Sequence, residues 1–251
     1  MTGLAALTER MVVGQLHGDL PLAILAPVGN FLVFNFAFRN LIDTGAMSYS
    51  QYVLPAIVIQ VMLLGALTTV DRAALDQQSD FGVRLRTFPI AAGLPLMARM
   101  SYCLIRGALS LIAAVSIGYL YGFRISGGFA HTIAFVVLVL GLTLALSLAA
   151  DALGSRASPD EIGRSVASTQ LLLVPQMLLV MLSTGMAPMD SFPDWLQPFV
   201  RYQPISQITE TLRGFASGQV VISNLAASAS WCIGLLVVFG GIALRTQGQT
   251  R

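Results

Sequence analysis

The side chains able to do chemistry are few here and do not assemble into a recognisable catalytic set. There are two histidines, His17 and His131, two cysteines, Cys103 and Cys232, and twelve acids among 251 residues. A nucleophile with its base, or a metal centre, needs such groups within reach of one another. Both histidines fall outside the apolar runs, on opposite sides of the membrane in the topology derived below, and no G-x-S-x-G elbow occurs. The acids all sit in loops or at the ends of apolar runs, which disfavours proton- or ion-coupled transport through a buried titrating group. All fourteen Lys+Arg residues are arginine, so the lysine of a phosphate-binding P-loop is missing and a standard ATPase site is excluded. What remains is a set of amides inside apolar runs: Asn30, Asn35, Gln60, Gln170 and Gln176. Their chemistry is hydrogen bonding. They either tie helices together, at about 0.6–2 kcal/mol each, or line a path for an amphipathic cargo.

The elements that would position these groups are membrane spans. Hydrophobic residues make up 55% of the chain and charged residues only 10%, where a soluble domain carries about 25% charged. A bilayer core of about 30 Å needs roughly 20 apolar residues per helix, and stretches 20–38, 52–70, 104–121, 133–150, 166–186 and 225–244 meet that requirement. Six spans put both termini on one side. Arg10, Arg72, Arg84, Arg86, Arg99, Arg156, Arg164, Arg245 and Arg251 then share that side with the termini, against Arg39, Arg124, Arg201 and Arg213 on the other. This asymmetry predicts cytoplasmic termini. Arg106, near the inner end of the third span, is expected to snorkel. Leu4, Leu7, Met11 and Val12 recur at helical spacing and predict a short helix along the inner surface. The first apolar run lacks signal-peptide features and is expected to remain in the mature protein. Cys103 and Cys232 are read as packing residues too far apart for a disulfide. A net charge of +2 gives no basic stripe for nucleic acid.

Two connections stand out. Stretch 71–100 is the longest inner one, and Phe81, Val83, Leu85 and Phe88 alternate there with Asp80, Arg84 and Arg86 before Pro89. That is the outline of an amphipathic docking surface. Stretch 187–224 is the longest outer one. Pro188, Pro193, Pro198 and Pro204 divide it into short pieces, Trp195 and Phe199 stand four apart, and Trp195 and Tyr202 suit the headgroup level. Residues 206–213 predict a short helix closed by Gly214. Backbone of this kind is tolerated at membrane depth only where protein or a water-filled cavity shields it, so an external gate over an enclosed vestibule is expected.

In 80–89, Asp80, Gly82, Arg84, Leu85 and Pro89 resemble the inner loop of ABC-2 type permeases. In 193–214, Pro193, Trp195, Pro198, Gln203, Pro204, Ser206, Leu212, Arg213 and Gly214 resemble the "P-x-W-x-x-P … QP-[IV]-S … LRG" run of daunorubicin-resistance-type permeases, which include actinobacterial members linked to lipid export. The resemblance implies an all-α membrane protein with the ABC-2, or type V ABC exporter, permease fold. It implies one transmembrane domain over 1–251 with six transmembrane helices, an N-terminal interfacial helix and re-entrant helices before the last span. Asp80, Gly82, Arg84, Leu85, Arg86 and Pro89 would couple to cytoplasmic ABC ATPase subunits, which would bind Mg-ATP, while this chain holds no cofactor or metal and is not itself an enzyme. Asn30, Asn35, Gln60, Gln170 and Gln176 would line the substrate path. Pro193, Trp195, Pro198, Phe199, Tyr202, Pro204 and Arg213 would form the external gate. The implied assembly pairs the chain with a second, identical or paralogous, permease in a bacterial plasma membrane to export a lipid or hydrophobic drug. Two alternatives remain open: a membrane-embedded lipid-modifying enzyme using Asp190, Asp194 or Glu210, and a non-transporting scaffold.

Overall fold

The computed structural model describes residues 2–40, 47–78, 93–154 and 173–249. Among these, every regular element is helical: α1 (Thr2–Gly14), α2 (Asp19–Phe38), α3 (Tyr49–Gln78), α4 (Leu94–Leu120), α5 (Gly128–Gly154), a helical segment over 173–181, a 3-10 turn (Met189–Ser191), α6 (Gln197–Tyr202), α7 (Pro204–Ser217) and α8 (Ile222–Gln249). Among the described residues five helices are long and apolar enough to cross a membrane: Asp19–Phe38, Tyr49–Ala73, Leu94–Leu120, Gly128–Gly154 and Ile222–Ala243. Of the sixth expected span, 166–186, only 173–186 is described, helical to 181 and then turning.

Two helices run well beyond the apolar stretches expected of them. A helix satisfies its own backbone bonds and needs no apolar side chains to continue into the interface. Thus α3 carries on through Asp71 and Arg72 to Gln78, and α4 begins at Leu94, with Pro95 in its first turn where a missing N–H costs nothing. Stretch 71–100, read as one connection, is therefore helical at both ends. The coupling residues Asp80, Gly82, Arg84, Leu85, Arg86 and Pro89 lie outside the described residues, as does Gln170.

The central element is α3, which packs against α2, α4, α5 and α7. Its Val53, Leu54, Ile57, Val58, Ile59 and Val61 are buried in the main apolar cluster. By contrast α2 and α8 expose large apolar side chains, among them Leu25, Val33 and Phe36 on α2 and Ile233 and Val237 on α8. Surface of that kind is stable only against lipid or another helix. At one end of the bundle Gly3 of α1 lies beside Leu94 and Ala243 of α8 clusters with Leu96 and Met100, so both termini share that end.

Pro27 lies inside α2, where its ring deprives the carbonyl four residues back of a backbone donor. That carbonyl belongs to Ala23, and the buried Ser110 hydroxyl of α4 donates to it at 2.7 Å. Ser110→Ala should therefore cost about 1–3 kcal/mol, the penalty of an unsatisfied buried acceptor. Restoring the α2 donor with Pro27→Ala in the same chain should recover most of it. Detergent melting temperatures of the single and double variants measure the effect, and equal temperatures for the two would contradict it.

Candidate functional site

At the end of the bundle opposite the termini, α7 is sewn into the spans by its polar residues. Pro204 supplies its first turn, and Gln203 immediately before it donates through Nε2 to the Leu182 carbonyl and, at 3.1 Å, to the Ser206 hydroxyl. Ser206 Oγ in turn accepts the Thr184 backbone N–H at 3.1 Å. The Q-P-I-S run thus clasps the non-helical residues 182–186, whose polar backbone is buried and needs such partners. Three turns on, Arg213 is 6% exposed. Its Nε donates to the Tyr52 carbonyl of α3 at 3.0 Å, one Nη to the Gly185 carbonyl at 3.2 Å, and the other pairs with Glu210 at 2.8 Å. The guanidinium also lies 3.6 Å from the Tyr52 ring centroid, and the Tyr52 hydroxyl donates to the Thr184 carbonyl at 2.7 Å. A planar cation with several donors can satisfy these directions at once.

The helix does not end at Gly214, as the spacing predicts; it continues to Ser217 and closes at Gly218, whose φ of 79° is the left-handed conformation that favours glycine. Gly214 serves a different purpose. A Cβ there would stand 2.9 Å from the Gln219 carbonyl oxygen, so its bareness lets the chain fold back against α7.

Three aromatic residues of this stretch stay at the surface while Phe215 of α7 is buried in the main apolar cluster. Trp195, in the turn before α6, is 79% exposed and Tyr202 69%, with Phe199 also exposed. Pro198 lies in the first turn of α6, and the Pro193 carbonyl accepts the Leu196 and Gln197 backbone N–H groups at 2.8 and 3.2 Å. A cavity of about 500 Å³ opens between α3, α6, α7 and the start of α8, lined by Tyr52, Thr184, Arg201, Ser206, Glu210 and Arg213 among others. Within it Glu210 is engaged by Arg213.

Of the amides, Asn35 is 3% and Gln60 6% exposed, while Asn30 and Gln176 are half-buried. Asn35 Oδ1 accepts a long bond of 3.4 Å from Ser50 of α3. Asn35 Nδ2, Gln60 Oε1 and Gln176 Nε2 are buried and have no hydrogen-bond partner among the described residues. An orphan of this kind costs about 1–3 kcal/mol, so these positions keep hydrogen-bonding capacity in hand inside an apolar bundle.

The end carrying the termini holds charged groups that composition alone does not reveal as partners. Asp19, 6% exposed at the start of α2, takes three donors on one carboxylate oxygen: Arg106 Nε at 2.7 Å, the Tyr102 hydroxyl at 2.8 Å and Arg72 at 2.9 Å. Arg106 is thus buried in an ion pair with the acid that opens α2. Next to it Arg99 pairs with the buried Asp151 of α5 through N–O distances of 2.7 and 3.3 Å. The available sequence signal was the run Arg99, Tyr102, Arg106, spaced three and four apart and therefore on one helical face.

No family model matches the chain. It is similar to the doxorubicin resistance ABC transporter permease protein DrrB of Mycobacterium tuberculosis, 30% identical over 238 residues that cover 89% of this chain and 80% of that protein. To the probable doxorubicin resistance ABC transporter permease protein DrrC of the same organism it is 29% identical over 222 residues, 86% of this chain and 76% of that one. Against the daunorubicin resistance ABC transporter permease protein DrrB1 of Streptomyces coeruleorubidus the identity is 25% over 222 residues, covering 88% of this chain and 77% of that protein.

Proposed function

The chain belongs to the doxorubicin- and daunorubicin-resistance family of ABC transporter permeases, and from that membership we propose that it is the membrane-spanning subunit of an ATP-driven exporter of amphipathic drugs or lipids. The observation that carries this is a match to a drug-resistance permease over 89% of the chain, in a protein whose long helices are apolar enough to span a bilayer. The end with both termini faces the cytoplasm, in keeping with the arginine asymmetry. Cytoplasmic ATPase subunits dock at residues 80–89, and a second permease, identical or paralogous, completes the path. The cargo enters laterally and passes the amides Asn30, Asn35, Gln60, Gln170 and Gln176, where the unsatisfied atoms of Asn35, Gln60 and Gln176 support contact with a polar headgroup or sugar. The stretch 187–224 is the external gate. Its support is the cavity between α3, α7 and the start of α8 and the buried clasp of Gln203, Ser206 and Arg213.

Proteoliposomes holding this chain with its partner ATPase, and its partner permease if it has one, test the reading with doxorubicin as fluorescent probe. ATP should drive uptake into inside-out vesicles, and a glycine–serine replacement of Asp80–Pro89 should lower uptake by about tenfold or more while ATP hydrolysis continues, as expected for a coupling free energy above about 1.4 kcal/mol. Uptake that needs no ATPase subunit, or that survives loss of this segment, would refute it.

A further inference from the structure

We infer that Asp19 is a positioning residue that makes the first span follow α3 and α4, the helices on either side of the driven segment. This rests on the exporter reading above and adds to it the residue through which the stroke leaves those helices. One oxygen of Asp19 holds Arg72 from α3 at 2.9 Å and Arg106 from α4 at 2.7 Å, with the Tyr102 hydroxyl of α4 at 2.8 Å. The helices that flank the proposed docking segment therefore each place an arginine on the same carboxylate, which opens α2. Arg72 also donates to Gln15 Oε1 at 3.1 Å in the turn between α1 and α2, and its guanidinium lies 4.9 Å from the Tyr102 ring centroid. Met11 and Val12 of α1 pack on Leu20, Tyr102 and Cys103. The α1–α2 corner, the last two turns of α3 and the first half of α4 are thus joined through one acid.

The arrangement transmits force because of its charge count. Two cations share one anion, and Asp19 and Arg106 are both buried, 6% and 8% exposed. If α3 and α4 shift relative to each other, one arginine must leave the carboxylate or α2 must travel with them. If Arg106 leaves, it strands a desolvated charge, so α2 moves with α4, while the part-exposed Arg72 adds a weaker tie to α3. Because α2 carries Asn30 and Asn35 and an apolar outer face, its displacement reaches the proposed path.

The test uses the reconstituted complex with its ATPase subunits and reads ATP hydrolysis and doxorubicin uptake together. Asp19→Asn keeps the size and removes the charge. It should leave hydrolysis within about twofold of wild type while uptake per ATP falls about tenfold, inside the 5- to 150-fold range of coupling between distant sites. Arg72→Gln serves if that variant does not fold: Arg72 is 24% exposed and its loss leaves the Asp19–Arg106 pair intact. It should lower the same ratio by a smaller factor, and Arg72→Lys should return part of it. A folded variant that loses hydrolysis and uptake in equal measure, or keeps the wild-type ratio, overturns the inference. Wild-type complex that shows no ATP-driven uptake at all would instead bring down the exporter reading, and this inference with it.

Discussion

Arg213→Ala is expected to give a chain whose melting temperature in detergent falls by roughly 10 °C, with little folded protein recovered from membranes at 37 °C. Two of the three groups held by Arg213 are the carbonyls of Tyr52 and Gly185, at 3.0 and 3.2 Å, and hydrogen bonds from a charged donor contribute about 1.5–3 kcal/mol each. The desolvated stack on Tyr52 adds about 2 kcal/mol. The Glu210 pair matters less, since that carboxylate is 38% exposed and solvent-screened pairs are worth about 0–1 kcal/mol. The lower end of these contributions, about 5 kcal/mol in all, is consistent with the shift named, at about 2 °C per kcal/mol, the low end for a chain of this size. Arg213→Lys should recover less than half, because an ammonium cannot address three acceptors while lying flat on a ring. A melting temperature within about 2 °C of wild type for the alanine variant would show that α7 is held by its apolar face alone.

Gly65→Ala should be the more surprising loss, since glycine inside a helix is worse than alanine by about 1 kcal/mol and the change would ordinarily help. Here a Cβ would stand 2.0 Å from a guanidinium nitrogen of Arg106. An arginine tip usually swings aside. This one is fixed by Asp19 at 2.7 Å and is 8% exposed, so yielding means giving up its counter-ion inside the bundle. Breaking a buried pair costs about 3–5 kcal/mol, which outweighs the gain in helix propensity and leaves a net loss of about 2–4 kcal/mol. The diagnostic is a double-variant cycle read by thermal melting. Once Arg106→Ala has removed the guanidinium, Gly65→Ala should become neutral or stabilising. Effects that simply add would show that the two positions do not meet.

The same two hubs mark where residue types alone were informative and where they were not. Apolar length located the cores of α2, α3, α4, α5 and α8, because a bilayer of fixed thickness imposes a minimum run on any crossing helix. The pattern from Pro193 to Gly214 identified the family, which the match to the M. tuberculosis and Streptomyces permeases bears out. The missing lysine excluded a P-loop without reference to any fold. Helix ends were less legible. Nothing in composition distinguishes Gly214, bare for close approach, from Gly218, bare for its left-handed φ, because the two demands arise from neighbours and from backbone geometry.

Pairing was decided in three dimensions. Asp19 and Arg106 are 87 residues apart, Tyr52 and Arg213 161 apart, and single-helix periodicity carries no signal over such separations. By itself the sequence determined that this chain lives in a membrane and carries no standard P-loop, since both follow from which residue types are present or missing. Which charges are buried and matched only the tertiary structure decided, because the cost of an ion in a low-dielectric interior depends on a partner that folding alone delivers.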